Sequence, residues 1–214
     1  MPLLPIQAAR ACIRRSNRFL ETARNNELRD SKIKNDLRRS ALTMAVAALD
    51  AYMHWTVLRQ LSAVRKAGAL PNALAKLNLP FSEIARLAES AIAGRRSEQN
   101  IRPWVQIKHS LQKRLYQQTF QSYDDVAHAF ALAGVKKGWE RVAKKLSARP
   151  SDIKKKLDAL VYRRNQIVHE GDIIRASRPQ HLKYNDIHHG AVAKQVKWVN
   201  TVLSAIEAVV VEGK

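Results

Sequence analysis

No glycine or proline interrupts the chain between residues 31 and 67, and this absence constrains the fold more than any other feature. Glycine weakens a helix through its backbone entropy, and proline removes a donor and clashes with the preceding turn. A stretch that avoids both is therefore expected to form one long helix, started at Asp30-Ser31 and stopped at Gly68. Its middle, residues 41–58, is apolar nearly all round. Such a helix has no solvated face to spare and belongs at the centre of a bundle.

The remaining glycines and prolines mostly fall between segments of helical periodicity, so an all-α fold is expected and strands are not needed. A first helix is predicted over residues 6–24. Residues 68–80 read as a connection, followed by shorter helices near 81–93, 104–119, 123–133 and 137–146. Ser151 or Asp152 is placed to cap a helix over 153–170 that ends at Gly171. A loop rich in His and Arg then leads to a closing helix over 192–211. The whole chain, 1–214, reads as a single helical domain in which about 68–150 is an insertion or elaboration. Trp55, Trp104, Trp139 and Trp198 sit among apolar residues and are expected to pack in the core or at an interface.

One cysteine, Cys12, excludes an intramolecular disulfide and suits a reducing compartment. The opening Met-Pro-Leu-Leu-Pro-Ile lacks the pattern of a secretory signal, and the apolar run 41–53 contains Asp50 and is too short for a bilayer. The expectation is a cytoplasmic protein with no membrane partner. Lys and Arg total 38 against 18 Asp and Glu, a formal charge of +20. That excess attracts polyanions, nucleic acid foremost, with acidic proteins and anionic lipid as alternatives. A generally basic surface with no such partner would give the same count.

The chemistry-bearing segment is Leu160-Val-Tyr-Arg-Arg-Asn-Gln-Ile-Val-His-Glu-Gly-Asp172. Asn165 and His169 are four residues apart and share a helix face, and the long side chain of Arg164 can swing into the same space. His169 is at the helix C-terminus, where the macrodipole favours a cation. Arg102 with His109 and Arg175 with His181 repeat the bare Arg-to-His spacing. Prolines 103 and 179 keep those pairs out of an uninterrupted helix. No Cys/His set has zinc spacing and no acidic triad suits magnesium, so neither cofactor nor metal is expected.

Arg164-Asn165-Gln-Ile-Val-His169 resembles the signature of the HEPN superfamily: Arg, a polar residue, a short spacer, then His. Two further stretches, Ala47-Ala-Leu-Asp-Ala-Tyr52 and Thr119-Phe-Gln-Ser-Tyr-Asp-Asp125 leading to Gly134-Val-Lys-Lys-Gly-Trp139, resemble the RiboL-PSP-HEPN branch. The resemblance covers most of the chain. It implies a HEPN-type helical bundle and an endoribonuclease that needs no metal. In that chemistry the substrate 2′-hydroxyl attacks the adjacent phosphodiester, leaving 2′,3′-cyclic phosphate and 5′-hydroxyl ends. His169 would move a proton, Arg164 would stabilise charge on phosphorus, and Asn165 would orient or hydrogen-bond.

The resemblance also implies a homodimer with the site at its interface, RNA (single-stranded or tRNA-like) as partner, and a defence or toxin setting with an antitoxin or sensor. Asp50 is expected either to support the site by holding Arg164 or Arg163, or to be satisfied by His54 on the same face or line a wet groove, and Arg163 is expected to support the site as a phosphate contact or to be a surface charge. In one HEPN group a Tyr two places after the motif His is modified by the antitoxin; here that position is Gly171. A catalytically silent module that binds RNA or a protein is the competing reading, and a basic helical DNA-binding protein is a third.

Overall fold

The computed structural model describes residues 3–67, 70–78, 80–96, 103–175 and 181–212. The helices are α1 (Pro5–Arg24), α2 (Ser31–Ala67), α3 (Asn72–Ala75), α4 (Phe81–Arg96), α5 (Pro103–Leu115), α6 (Tyr123–Leu132), α7 (Gly138–Lys145), α8 (Pro150–Glu170) and α9 (His189–Glu212). The described residues contain no strand, only one isolated antiparallel bridge between Ile173 and Tyr184.

Helix α2 begins where its sequence predicts, with the Asp30 carboxylate accepting from the backbone N–H groups of Lys32 (2.7 Å) and Ile33 (3.3 Å). Its central residues Leu42, Val46, Leu49, Tyr52 and Met53 are buried because α1, α9, α8, α6 and α5 all pack against it. This surrounds the all-round apolar surface on which the bundle assembles. Residues 31–60 are long and apolar enough to cross a membrane by length and composition, a longer span than the run 41–53 suggests. Over half of the window is covered by neighbouring helices (56%), as a bundle's core helix requires. Ser16 Oγ donates to the Ala41 carbonyl at 2.7 Å, satisfying a buried hydroxyl where α1 meets α2. The Tyr52 hydroxyl donates to the Glu207 carboxylate, tying α2 to α9. Burial, then the Glu207 charge, pushes that phenol well above its ordinary range.

Several boundaries differ from expectation. A short helix, α3, stands inside the predicted connection, α4 runs on through Gly94, and α5 ends at Leu115 rather than near 119. The α5–α6 connection is instead held by side chains: Phe120 N–H donates to Asp50 (2.6 Å) and Tyr123 N–H to Asp158 (3.2 Å). Ser122 and Asp125 then form a reciprocal cap at the start of α6. Neither Ser151 nor Asp152 caps α8. Pro150 takes the first helical position, where its fixed φ is already helical, so Arg149 becomes the cap residue and makes no side-chain cap bond. The Asp152 carboxylate accepts from Arg149 at 2.8 Å instead.

Trp139 is buried and donates to the Tyr123 carbonyl (2.8 Å), and Trp198 is partly buried with the Lys156 ammonium over its ring. Trp55, expected in the core or at an interface, is exposed on this chain. Arg102, Pro179 and the Trp104 side chain lie outside the described residues. Burial raises the Cys12 thiol above its ordinary range, with Arg15 working weakly against it.

Candidate active site at the end of helix α8

Helix α8 buries Ile153, Leu157 and Leu160 against the bundle. That choice of face decides which motif residues meet solvent. Asn165 and His169, one turn apart, both stand exposed, and Arg164 between the two environments is half-buried. The Arg164 guanidinium donates to Asn165 Oδ1 at 3.0 Å, so the amide holds the cation over the open face. His169 makes no hydrogen bond or ion pair within the described residues, which leaves both ring nitrogens free. Tyr162 is 67% exposed on the same helix.

Helix α8 stops abruptly. Gly171 (φ 62°) and Asp172 (φ 60°) are consecutive left-handed residues, and the Asp172 N–H reaches back to the Gln166 carbonyl at 3.0 Å. The reversal drives the Asp172 side chain into the protein, where it has no exposed surface. Its carboxylate receives a two-pronged contact from Arg163, with the second prong at 2.9 Å, and a bond from Arg39 Nε on α2 at 2.6 Å. Asn185 Nδ2 adds a third donor at 3.1 Å, and Arg39 also donates to the Asn185 carbonyl at 3.0 Å. A buried carboxylate is tolerated when its oxygens are filled this way. Two guanidinium groups share this carboxylate, and Arg39 also pairs with the exposed Asp36 at 3.1 Å, so the charges of the cluster balance.

This corrects two expectations. Arg163 is not a free phosphate contact; its guanidinium is committed to Asp172 and to the Asp186 carbonyl (3.3 Å), so it locks the end of α8 to α2 and to the following loop. Asp50 holds neither Arg163 nor Arg164. Its carboxylate caps Phe120 N–H and faces His54 Nε2 at 3.5 Å, and His54 packs on the Phe120 ring (centroids 4.7 Å apart). Burial works against ionisation of Asp50, but His54, the Phe120 N–H and Gln121 outweigh it and keep the carboxyl below its ordinary range. Asp50 therefore supports the α5–α6 connection.

Asp50→Asn is expected to be less stable than the native chain by about 1–2 kcal/mol at neutral pH. The folded carboxyl titrates below its ordinary 3.8, so its stabilisation is complete above that value and is lost as pH falls through the lower folded one. Urea unfolding of both proteins from pH 7 down to pH 2 checks this (roughly the window that the linkage defines). A gap that stays constant with pH would contradict it.

Asp172, Arg39 and Asn185 were missed by motif reading. The available signal was an aspartate directly after the glycine that ends the motif helix, three residues past the His and close to an Arg pair. The same end of the bundle carries further cationic groups. Arg38 donates to the Asn35 side chain (2.8 Å) and to the Ile187 carbonyl (3.3 Å). His189, which opens α9, is held below its ordinary range by partial burial and by the charges of Arg24 and Arg38. Among the described residues no group of three or more His, Cys, Asp or Glu is arranged to hold a metal ion.

No curated protein and no solved structure matches the chain. The family model that does match is the one described as RiboL-PSP-HEPN, and it spans residues 13–212 of the 214. An all-helical bundle, a motif helix opened at its last turns, and a family match over nearly the full length lead to one statement: the chain belongs to the RiboL-PSP-HEPN family.

Proposed function

We propose that the protein is an endoribonuclease that cuts RNA by attack of the substrate's own 2′-hydroxyl, giving 2′,3′-cyclic phosphate and 5′-hydroxyl ends. The observation that carries this reading is the open face of α8. There an amide-held, half-buried guanidinium, Arg164, and an exposed, unpartnered imidazole, His169, stand on the last turns of one helix, beside the buried Arg163–Asp172–Arg39 cluster. His169 takes the proton from the 2′-hydroxyl or returns one to the departing 5′-oxygen, while Arg164 faces the charge that builds on phosphorus. Asn165 orients Arg164. None of these roles calls on a metal ion.

The two oxygens that lose and gain a proton lie on opposite sides of phosphorus, and each chain offers one motif histidine. A homodimer pairing two α8 faces would supply two, and the exposed Tyr162 and Val168 on that face suit such a contact. A cytoplasmic defence or toxin role, held in check by an antitoxin or sensor protein, belongs to the same proposal. Gly171 stands where one HEPN group carries its modifiable Tyr, so that form of control is not proposed. The competing reading is a silent RNA-binding module. It is favoured by one observation: within the described residues nothing orients the His169 ring.

The test is incubation of the purified protein with total RNA and with tRNA in EDTA, with product ends identified. Cyclic phosphate ends are expected, at a rate that EDTA does not change. Binding without cleavage would move the assignment to the silent module.

A further inference from the structure

The loop after the motif brings one exposed aromatic ring to the site. Ile173 and Tyr184 form the isolated antiparallel bridge, with Ile174 N–H donating to the Lys183 carbonyl at 2.7 Å and Asn185 N–H to the Asp172 carbonyl at 2.9 Å. These bonds fix the backbone of residue 184 beside a residue only four places after His169. Four residues span at most about 14 Å even when fully extended, so the bridge lies within that reach of the motif histidine.

The side chain is braced as well. The Arg39 guanidinium lies 5.5 Å from the centre of the Tyr184 ring, within cation–π range. Arg39 is itself immobilised by Asp172 and the Asn185 carbonyl, so one face of the ring rests on a fixed plate. Even so, Tyr184 is 54% exposed and makes no side-chain hydrogen bond within the described residues. A flat ring, backed by a fixed cation and more than half exposed, is an arrangement that accepts another flat ring. Its neighbours Lys183 and His181 are exposed, which suits a ligand that carries negative charge along with its rings.

We propose that Tyr184 is a stacking platform for a nucleobase of the RNA, placed next to the cleavage site and selecting for nucleic acid over other polyanions. The proposal rests on RNA being the substrate. Stacking recognises the π-face common to every base, so the subsite positions a nucleotide without demanding one sequence. Arg39 and Asp172 act on it only through the ring's position.

The test compares Tyr184→Leu and Tyr184→Phe, each in a full-length chain that also carries His169→Ala so that RNA stays intact. Two probes are used: a single-stranded oligoribonucleotide, and inorganic polyphosphate of similar charge, which has no bases. Tyr184→Leu is expected to weaken oligoribonucleotide binding by about five- to hundred-fold, the range of one base–aromatic stack. Polyphosphate binding should not change, and Tyr184→Phe should bind both probes as the parent does. Equal loss for both probes would mean the loop's charge or shape had been altered, and would overturn the proposal. So would unchanged RNA binding in Tyr184→Leu, or a shift in its sedimentation, which would make Tyr184 an interface residue. A parent that binds no oligoribonucleotide would remove the substrate reading and the stacking site together. Failure of Tyr184 alone leaves RNA binding intact, so the two failures are told apart.

Discussion

His169→Ala is expected to lower RNA cleavage by about 10²–10⁴-fold, the usual contribution of a positioned proton-transfer group, and to leave RNA affinity as it was. The structure separates these two effects. His169 is exposed and makes no hydrogen bond or ion pair within the described residues, so removing its ring breaks no such bond there. Loss of cleavage could then not be blamed on unfolding, and a thermal melt of the variant should overlay that of the native chain. Affinity for RNA derives chiefly from neutralised phosphates, and one imidazole is a small part of a surface with a formal charge of +20. Product ends and binding, measured on the same preparations in EDTA, check the prediction. Equal cleavage by variant and native protein would remove His169 from the chemistry, whatever the family match implies.

Legibility in the sequence followed the range of the forces involved. Helix α2 could be placed closely because its signals are local: Asp30 caps its own helix and no Gly or Pro intervenes up to Ala67. The motif face was also readable, since Asn165 and His169 share it by helical spacing alone and the apolar set Ile153, Leu157 and Leu160 fixes which side is buried. What could not be read were choices between partners distant in the chain. Asp50 and Asp172 are each a carboxylate with an arginine in plausible reach, and spacing offers no rule for deciding between them. Packing decides. Asp50 is turned toward the α5–α6 connection 70 residues away, and Asp172 toward Arg39, 133 residues away. The α8 start failed for a different reason. Ser151 and Asp152 are both good caps, but Pro150 is a better first residue, and a proline at that position places both of them inside the helix.

Asp172→Ala is expected to lower stability by about 3–5 kcal/mol, the cost of breaking a buried ion pair from one side. The size follows from what remains behind. Arg39 and Arg163, whose side chains are 11% and 20% exposed, would lose the carboxylate between their charges, with only the exposed Asp36 left to Arg39, and Asn185 Nδ2 would keep only the backbone carbonyl of residue 172. The exposed pairs elsewhere, such as Lys145 with Glu212, leave nothing buried when broken and should shift stability little. Asp172→Asn keeps the volume and an acceptor oxygen but not the charge, so it should fall between alanine and the native chain in urea midpoint. Replacing Arg39 by Met in the Asp172→Ala background should return part of the loss, because it removes one of the stranded cations; simple additivity of the two substitutions would contradict the shared cluster. The same variants bear on the site, since the reversal at Gly171 and Asp172 sets how the last turn of α8, and His169 on it, meets α2. If the clasp is what holds that geometry, Asp172→Asn measured well below its melting temperature should lose turnover while it still binds RNA, and Asp50→Asn, destabilised at a distance from the motif, should not.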